Sequence, residues 1–170
     1  YIDNSTGGVD IKNEGQISGT NSSEHEPSYG IYIDNSTGGV DIKNEGQISV
    51  TNNYDSGSGY GIYIGNSEGG VDIKNEGQIS VTNNRDFKHV YGIHIANSSV
   101  ENITNTGVIY ARTNAIKNDN GTVTNAVNYG ILANGDDGWN TVGGLTVVYD
   151  GTPKKNELLN KGLIFKRSEE

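Results

Sequence analysis

A chain of 170 residues is enough for one domain, but only 32% of it is hydrophobic and 25 residues are glycine, too lean a composition for a globule built round one central core. There is no Cys and no Met, which excludes disulfides and thiolate metal sites; the missing initiator predicts a piece of a longer or processed protein. The formal charge of −9 argues against nucleic acid and anionic membranes, which need a basic patch, and no apolar run approaches the roughly 18–20 residues of a membrane helix.

The sequence is made of copies of one stretch, Gly-Ile-Tyr-Ile-Asp-Asn-Ser-Thr-Gly-Gly-Val-Asp-Ile-Lys-Asn-Glu-Gly-Gln-Ile-Ser at residues 30–49. It fills residues 1–18 without its Gly-Ile lead, returns almost unchanged at 61–80, and decays from Gly92 onward. Tyr1, Tyr32, Tyr63 and His94 are each 31 residues apart. A fixed period of that size marks a stacked repeat, which needs only a thin core because each unit is buried against its neighbours.

In chain order, each repeat reads as three strands and three corners. Ile31-Tyr32-Ile33, Val40-Asp41-Ile42-Lys43 and Gln47-Ile48-Ser49-Val50 alternate apolar and polar, one face in and one out. Ile31, Ile33, Val40, Ile42, Ile48 and Val50 are expected inside; Tyr32, Asp41, Lys43, Gln47 and Ser49 outside. Corners are expected at residues 34–39 and 44–46, whose Asn and Gly suit turns of positive φ, with a longer loop at 51–60. Three short strands per repeat without helices predict an all-β fold, a single-stranded parallel β-helix of roughly 31 residues per turn, right-handed because parallel crossovers are. A string of hairpins is the alternative, but it would set unlike segments opposite one another.

An Asn-x-Gly corner recurs at Asn13/Gly15, Asn44/Gly46, Asn75/Gly77, Asn105/Gly107, Asn128/Gly130 and Asn160/Gly162. These six positions predict about six turns in a stack roughly 25–30 Å tall. Residues 1–170 read as a single unit: repeats start near residues 1, 30, 61 and 92, and 115–170 are divergent turns. Tyr129-Gly130-Ile131 resembles the repeat start Tyr60-Gly61-Ile62, so two registers compete there, and the corner-based one is preferred. Beyond it, Pro153 to Asn156 reads as a loop and Leu163-Ile164-Phe165 as a final strand, after which the chain is expected to fray.

Stacking would place like residues in columns. Asp10, Asp41 and Asp72 form one outward row and Lys12, Lys43 and Lys74 a second beside it, expected to offset each other as a solvated face; calcium on the Asp row would need six to eight oxygens against the competing lysines. Asn13, Asn44, Asn75 and Asn105 are expected to hydrogen-bond from turn to turn. Tyr32, Tyr63 and His94 continue the row from Tyr1, either stacking along the sheet or forming a platform for sugars and peptides. Tyr29, Tyr60 and Tyr91 are expected to wedge a loop against the sheet. The variable loops at 19–29, 51–60 and 82–91 fall on one side, often the binding side of a repeat protein. The most diverse holds Arg85, Asp86, Phe87, Lys88 and His89, and the candidate partner-binding residues are therefore Tyr32, Tyr63, His94, Arg85, Phe87, Lys88 and His89. No metal, cofactor or catalytic residue is expected, since the three His lack the context of a metal motif or a nucleophile–base pair. Asp136 and Asp137 in Gly-Asp-Asp-Gly would have to supply paired carboxylates for glycoside hydrolysis, and a polar turn is the plainer reading.

The Asn-x-Gly-x-Ile repeats, joined to Tyr-Gly-Ile-Tyr-Ile and Asn-Ser-x-Gly-Gly corners, resemble the passenger domains of type V autotransporters, in particular the large fusobacterial-type outer-membrane adhesins. The resemblance runs from residue 1 to about 134. It implies an extracellular segment of a bacterial surface adhesin, a rigid stalk and display scaffold, anchored at the outer membrane through a translocator barrel that this sequence does not include. The implied partners are host or bacterial cell-surface proteins or glycans. A carbohydrate-active β-helical enzyme and a ligand-free spacer are the alternatives. The strand edges at the ends of such a stack also invite end-to-end self-association.

Overall fold

The computed structural model describes residues 1–21, 23–54, 57–84, 89–135 and 141–166, and every regular element among them is a strand. The first level holds β1 (Ile2–Asp3), β2 (Val9–Asn13) and β3 (Gln16–Thr20); the second β4 (Ser28–Asp34), β5 (Val40–Asn44) and β6 (Gln47–Asn52). The third has β7 (Gly59–Gly65), β8 (Val71–Asn75) and β9 (Gln78–Asn83), and the fourth β10 (Val90–Ala96), β11 (Ser99–Asn105) and β12 (Val108–Ala111). Above these come β13 (Asn114–Asp119), β14 (Thr122–Asn128) and β15 (Ile131–Asn134), then β16 (Val142–Gly143), β17 (Thr146–Val148), β18 (Glu157–Asn160) and β19 (Leu163–Lys166).

From β1 to β16 each strand pairs in parallel with its counterpart one coil away and not with its sequence neighbour. Three sheets result. Sheet A runs β1-β4-β7-β10-β13-β16, sheet B β2-β5-β8-β11-β14-β18-β17, and sheet C β3-β6-β9-β12-β15-β19. The molecule is thus a parallel β-solenoid: six levels joined by about five turns of roughly 31 residues. The hairpin alternative is excluded by the parallel pairing.

Aliphatic columns fill the inside. Ile31, Ile62, Ile93 and Ile116 stack in sheet A, Ile42, Ile73 and Ile103 in sheet B, and Ile48, Ile79, Ile109 and Leu132 in sheet C. All are buried, and each such side chain is worth about 1.5–3 kcal/mol of transfer free energy. All six residues expected inside in the second repeat are buried. Toward the top the columns admit polar groups, each with backbone or side-chain partners. Asn118 follows Ile95 and clasps the backbone of Gly121 with both amide atoms; Asn134 follows Ala111 and accepts from Thr141 at 2.7 Å.

The three corners are held differently. Where sheet A turns into sheet B, Asn4, Asn35, Asn66, Asn97 and Asn120 take positive φ, a region Asn tolerates better than most residues, and Ser67 and Ser98 accept from the backbone N–H of Ser36 and Ser67 one coil below. Where sheet B turns into sheet C, positive φ was expected at the Asn-x-Gly glycines and does not occur. They are required by close approach: a Cβ on Gly46 would lie 2.1 Å from the carbonyl oxygen of Gly15, and the same clash recurs up the stack at Gly77, Gly107, Gly130 and Gly162. The asparagine two residues earlier donates Nδ2 to the Oδ1 of the asparagine above. The bonds are 2.7 Å for Asn13 to Asn44 and Asn44 to Asn75, 2.8 Å for Asn75 to Asn105, and 2.7 Å for Asn105 to Asn128 and Asn128 to Asn160. The ladder is therefore continuous and points one way.

It also fixes the upper register. Asn105 pairs with Asn128 and Val108 with Ile131, so the corner-based alignment is the correct one and Tyr129-Gly130-Ile131 does not start a repeat. The short interval of 23 residues there comes from reducing the link between sheets C and A to Arg112 and Thr113. At the top, residues 151–156 form the expected loop and β19 the expected last strand. Unforeseen is β17, which precedes β18 in the chain but pairs outside it, covering the upper edge of sheet B.

Asn75→Ala takes the ladder partner from one Asn44 amide N–H and from Asn105 Oδ1 and should cost about 2–4 kcal/mol by urea denaturation, well above Asn13→Ala at the end of the ladder; equal costs would sink the ladder's role. Gly46→Ala should destabilise by about 1–3 kcal/mol, while Gly15→Ala, with the same sequence neighbours but nothing within 4 Å of its Cβ, should change stability by less than about 0.5 kcal/mol.

Candidate partner-binding surfaces

The outer face of sheet A carries an aromatic wall. Residues two apart in a strand share a face and residues in register stack at one strand spacing. Tyr1 therefore lies over Tyr32 at 4.1 Å between ring centroids and Tyr32 over Tyr63 at 5.1 Å, both pairs nearly parallel. A second column alongside runs Tyr29, Tyr60, Tyr91, with Tyr29 and Tyr60 stacked at 5.1 Å. Edge-on contacts lock the columns together, as between Tyr29 and Tyr32 at 4.8 Å. Tyr29, Tyr60 and Tyr91 were expected to wedge a loop; they instead complete this wall. Gly65 makes room for it, since a Cβ there would lie 2.4 Å from Asp34 Oδ1 and 2.7 Å from the Tyr63 ring.

Tyr32 and Tyr63 are half-buried by their neighbours. Their hydroxyls are held protonated above the ordinary tyrosine range, first by burial among the rings, then for Tyr32 by Tyr1, and for both by the nearby Asp34 carboxylate; Tyr32 donates to Asp34 at 3.2 Å. Tyr91, deeper, is pushed up to about 12, again by burial first.

His94 ends the row and is 8% exposed. It stacks on Tyr60 at 5.3 Å and meets Tyr63 and Tyr91 at an angle, and its Nε2 is 3.0 Å from Asp119 Oδ2, whose other oxygen takes Lys117 at 2.7 Å. Burial lowers the imidazole pKa against the opposing pull of Asp119. Burial alone would raise the Asp119 carboxyl, but Lys117 and His94 hold it below its ordinary value. The neutral ring therefore donates from Nε2, and its buried Nδ1 has no partner. His89 lies at the exposed edge of the wall with Nδ1 3.0 Å from the Tyr91 hydroxyl. Arg85, Phe87 and Lys88, like Asp86, Asp136 and Asp137, lie outside the described residues. The wall thus brings together Tyr32, Tyr63, His94 and His89, four of the seven candidates.

The variable loops leave from one edge, between sheets C and A, and their bases stack as well: Asn53 N–H donates to Asn21 Oδ1 at 3.0 Å and Asn84 Nδ2 to Asn53 Oδ1 at 2.7 Å. On sheet B the lysine row is offset by a different column from the one expected. Lys43 pairs with Glu45 of its own coil and with Glu76 of the next at 3.3 Å, Lys12 likewise bridges Glu14 and Glu45, and Lys74 pairs with Glu76 of its own coil. These exposed pairs are each worth at most about 1 kcal/mol. The Asp row continues upward as amides, with Asn102 donating to Asp72 at 2.7 Å. Among the described residues, no cluster of three His, Cys, Asp or Glu side chains could hold a metal.

A third surface escaped the sequence reading. The outer face of sheet C carries a cleft of about 550 Å³ lined in part by Ser80, Thr82, Tyr110, Arg112, Ala133 and Phe165. Arg112 Nη1 donates to the carbonyl of Asn83 at 2.7 Å. The signal was present as a loss of alternation in Val108-Ile109-Tyr110-Ala111 and Leu163-Ile164-Phe165. The chain matches no protein-family model, no curated protein and no solved structure.

Because the folded protein keeps His94 neutral, the unfolded chain binds more protons between the folded-state pKa and about 6.5. Stability should therefore fall on acidification through that interval, and further at lower pH as Asp119 protonates. In His94→Tyr, which continues the row of Tyr32 and Tyr63, melting temperature followed from pH 7.5 to 5 should decline less steeply; parallel slopes would show that His94 does not govern the response.

Proposed function

We propose that this chain is a rigid segment of an extracellular bacterial surface adhesin, part of an autotransporter-type passenger, whose coils hold variable loops away from the cell. The observation that carries the reading is a division of labour along the chain. Asn13, Asn44, Asn75, Asn105, Asn128 and Asn160 form one uninterrupted ladder, while the largest differences in sequence and length among the first five levels leave from the single edge between sheets C and A. A constant frame with variation confined to one edge suits display: loops tolerate change that a packed coil does not, and each coil needs only its neighbours for stability. The repeat motifs support the same reading through their likeness to autotransporter passengers.

In this reading the full-length protein is held at the outer membrane by a translocator barrel, and its partners are proteins or glycans of host or bacterial cells. The aromatic wall stiffens the stack, with Tyr32, Tyr63 and His89 at its accessible margin. The chain carries out no chemical step, so Asp136→Ala and Asp137→Ala leave its function unchanged.

The test is a loop exchange. The 170-residue chain, labelled and applied to panels of epithelial and bacterial cells, should bind at least one of them. Replacing residues 84–89 with residues 21–27 should remove most of that binding while leaving the melting temperature within a few degrees. Binding that survives the exchange would remove the loop from the account, and a chain that binds no cell type is a spacer.

A further inference from the structure

The corner between sheets A and B repeats a triplet whose last residue the fold does not require. The first five levels place Asn4-Ser5-Thr6, Asn35-Ser36-Thr37, Asn66-Ser67-Glu68, Asn97-Ser98-Ser99 and Asn120-Gly121-Thr122 there. The first residue is asparagine because all five take positive φ, from 45° to 59°. The second is small because it turns inward: Ser36, Ser67 and Ser98 are buried, and each donates its hydroxyl to a nearby carbonyl. The third contributes only its backbone. The N–H groups of Thr37, Glu68, Ser99 and Thr122 each donate to the carbonyl of the middle residue one coil below, at 2.8–3.0 Å. Any residue but proline can make that bond, and Glu68 makes it. Yet the other four triplets end in a hydroxyl. Asn4-Ser5-Thr6 and Asn35-Ser36-Thr37 are copies, but Asn120-Gly121-Thr122, in a diverged level, keeps both ends while its middle has changed.

Asparagine followed two residues later by Ser or Thr, with no Pro between, is the acceptor pattern for an N-linked sugar. Six such triplets occur in the chain: these four, Asn21-Ser22-Ser23 and Asn102-Ile103-Thr104. The fold separates them. Asn21 is buried, with its amide donating to the Ser23 carbonyl and accepting from the Asn53 N–H. Asn102 is half-buried on sheet B, donating to Asp72 at 2.7 Å and accepting from Asn125 at 3.1 Å. Asn4, Asn35, Asn97 and Asn120 are exposed. Asn35 reaches Asp34 and Asp3 only at 3.3 and 3.5 Å, and the side chains of Asn4, Asn97 and Asn120 make no hydrogen bond among the described residues.

We propose that Asn4, Asn35, Asn97 and Asn120 are N-glycosylation sites, which together line the A–B corner with sugars. Asn4 and Asn35 stand one strand spacing apart, about 4.8 Å, as do Asn97 and Asn120. Preassembled branched glycans on both members of a pair would collide, so the donor is a nucleotide-activated monosaccharide. In the transfer, the anomeric carbon bonds to asparagine Nδ2 as its bond to the phosphate oxygen breaks. The leaving nucleoside diphosphate keeps that electron pair, and Nδ2 gives up one proton to a base of the transferase. Asn66 interrupts the row, because Glu68 offers no hydroxyl. The variable loops leave from a different corner, between sheets C and A, so the row holds or fails independently of the loop-display reading.

The experiment is peptide mapping by mass spectrometry of the protein purified from the cells that naturally make it, with fragmentation that leaves sugars attached. A single sugar is expected on each of Asn4, Asn35, Asn97 and Asn120, and none on Asn21, Asn66 or Asn102. In the same cells, Thr37→Ala should abolish the sugar on Asn35, Thr37→Ser should retain it, and Glu68→Thr should add one to Asn66. All three variants keep the N–H that the corner uses, so each should retain the parent's β-sheet circular dichroism. The proposal is overturned if the four corner asparagines are bare in the native protein, or if Asn21 and Asn102 are modified as fully as they are. It is equally overturned if Thr37→Ala keeps its sugar, if Glu68→Thr leaves Asn66 bare, or if branched glycans occupy Asn97 and Asn120 of one chain together.

Discussion

A buried amide that accepts from the coil below and donates to the coil above satisfies itself only if coils stack in register at one strand spacing. Four asparagines between two end members do this at one corner, and their alternatives are poor, because a buried amide left without partners costs as much as several exposed ion pairs give. The corner glycines bind the same constraint to the backbone. Gly46, Gly77 and Gly107 each sit where a methyl group would strike the carbonyl one coil below, so the approach that brings the amides to 2.7–2.8 Å also forbids any other residue there. All the ladder bonds point the same way, which lets each polarise the next. The aliphatic columns supply most of the free energy, but an Ile column would tolerate a slide or a rotation that the ladder does not.

With the frame set in this way, outward positions are free to differ by face. Sheet A packs rings on rings, and a buried histidine with its Asp–Lys partners replaces tyrosine where the repeat decays. Sheet B sets a lysine row against the glutamates of its corner. Sheet C is a lattice of amides and hydroxyls that gives way to apolar groups above the third level. None of these patterns alters the pitch, so a single backbone presents three chemically distinct surfaces and one edge of loops.

Much of this was legible in the residues. Period-2 alternation in Val40-Asp41-Ile42-Lys43 told inside from outside, and the Asn-x-Gly spacing gave the parallel stacking and the register through Asn160. What was misread came from side chains that act across coils rather than along the strand. Glu45 is a corner residue in sequence but lies beside Lys43 and above Lys12, so the charge partner was assigned to the Asp row. Tyr29 and Tyr60 precede the repeat core in sequence, yet they face the same way as Tyr32 and Tyr63 and fill the space between them. The sheet C cleft was missed because Tyr110, Ala133 and Phe165 belong to three decayed repeats, where no column is visible until the levels are aligned. The strand exchange at β17 and β18 left no periodic signal at all.

The near-identity of the first three coils has a consequence for how the chain finds its register. Residues 9–18, 40–49 and 71–80 are the same ten-residue sequence throughout. A slip of one whole coil among them would preserve the amide bonds, the aliphatic contacts and the lysine–glutamate pairs alike. What distinguishes the correct arrangement must therefore lie above: the bare two-residue link at Arg112 and Thr113, the contact of His94 with Asp119, and the polar plugs at Asn118 and Asn134, none of which has a duplicate one period away. The regular half of the solenoid is translationally degenerate, and its irregular half works as the index mark that tells each identical coil which one it is.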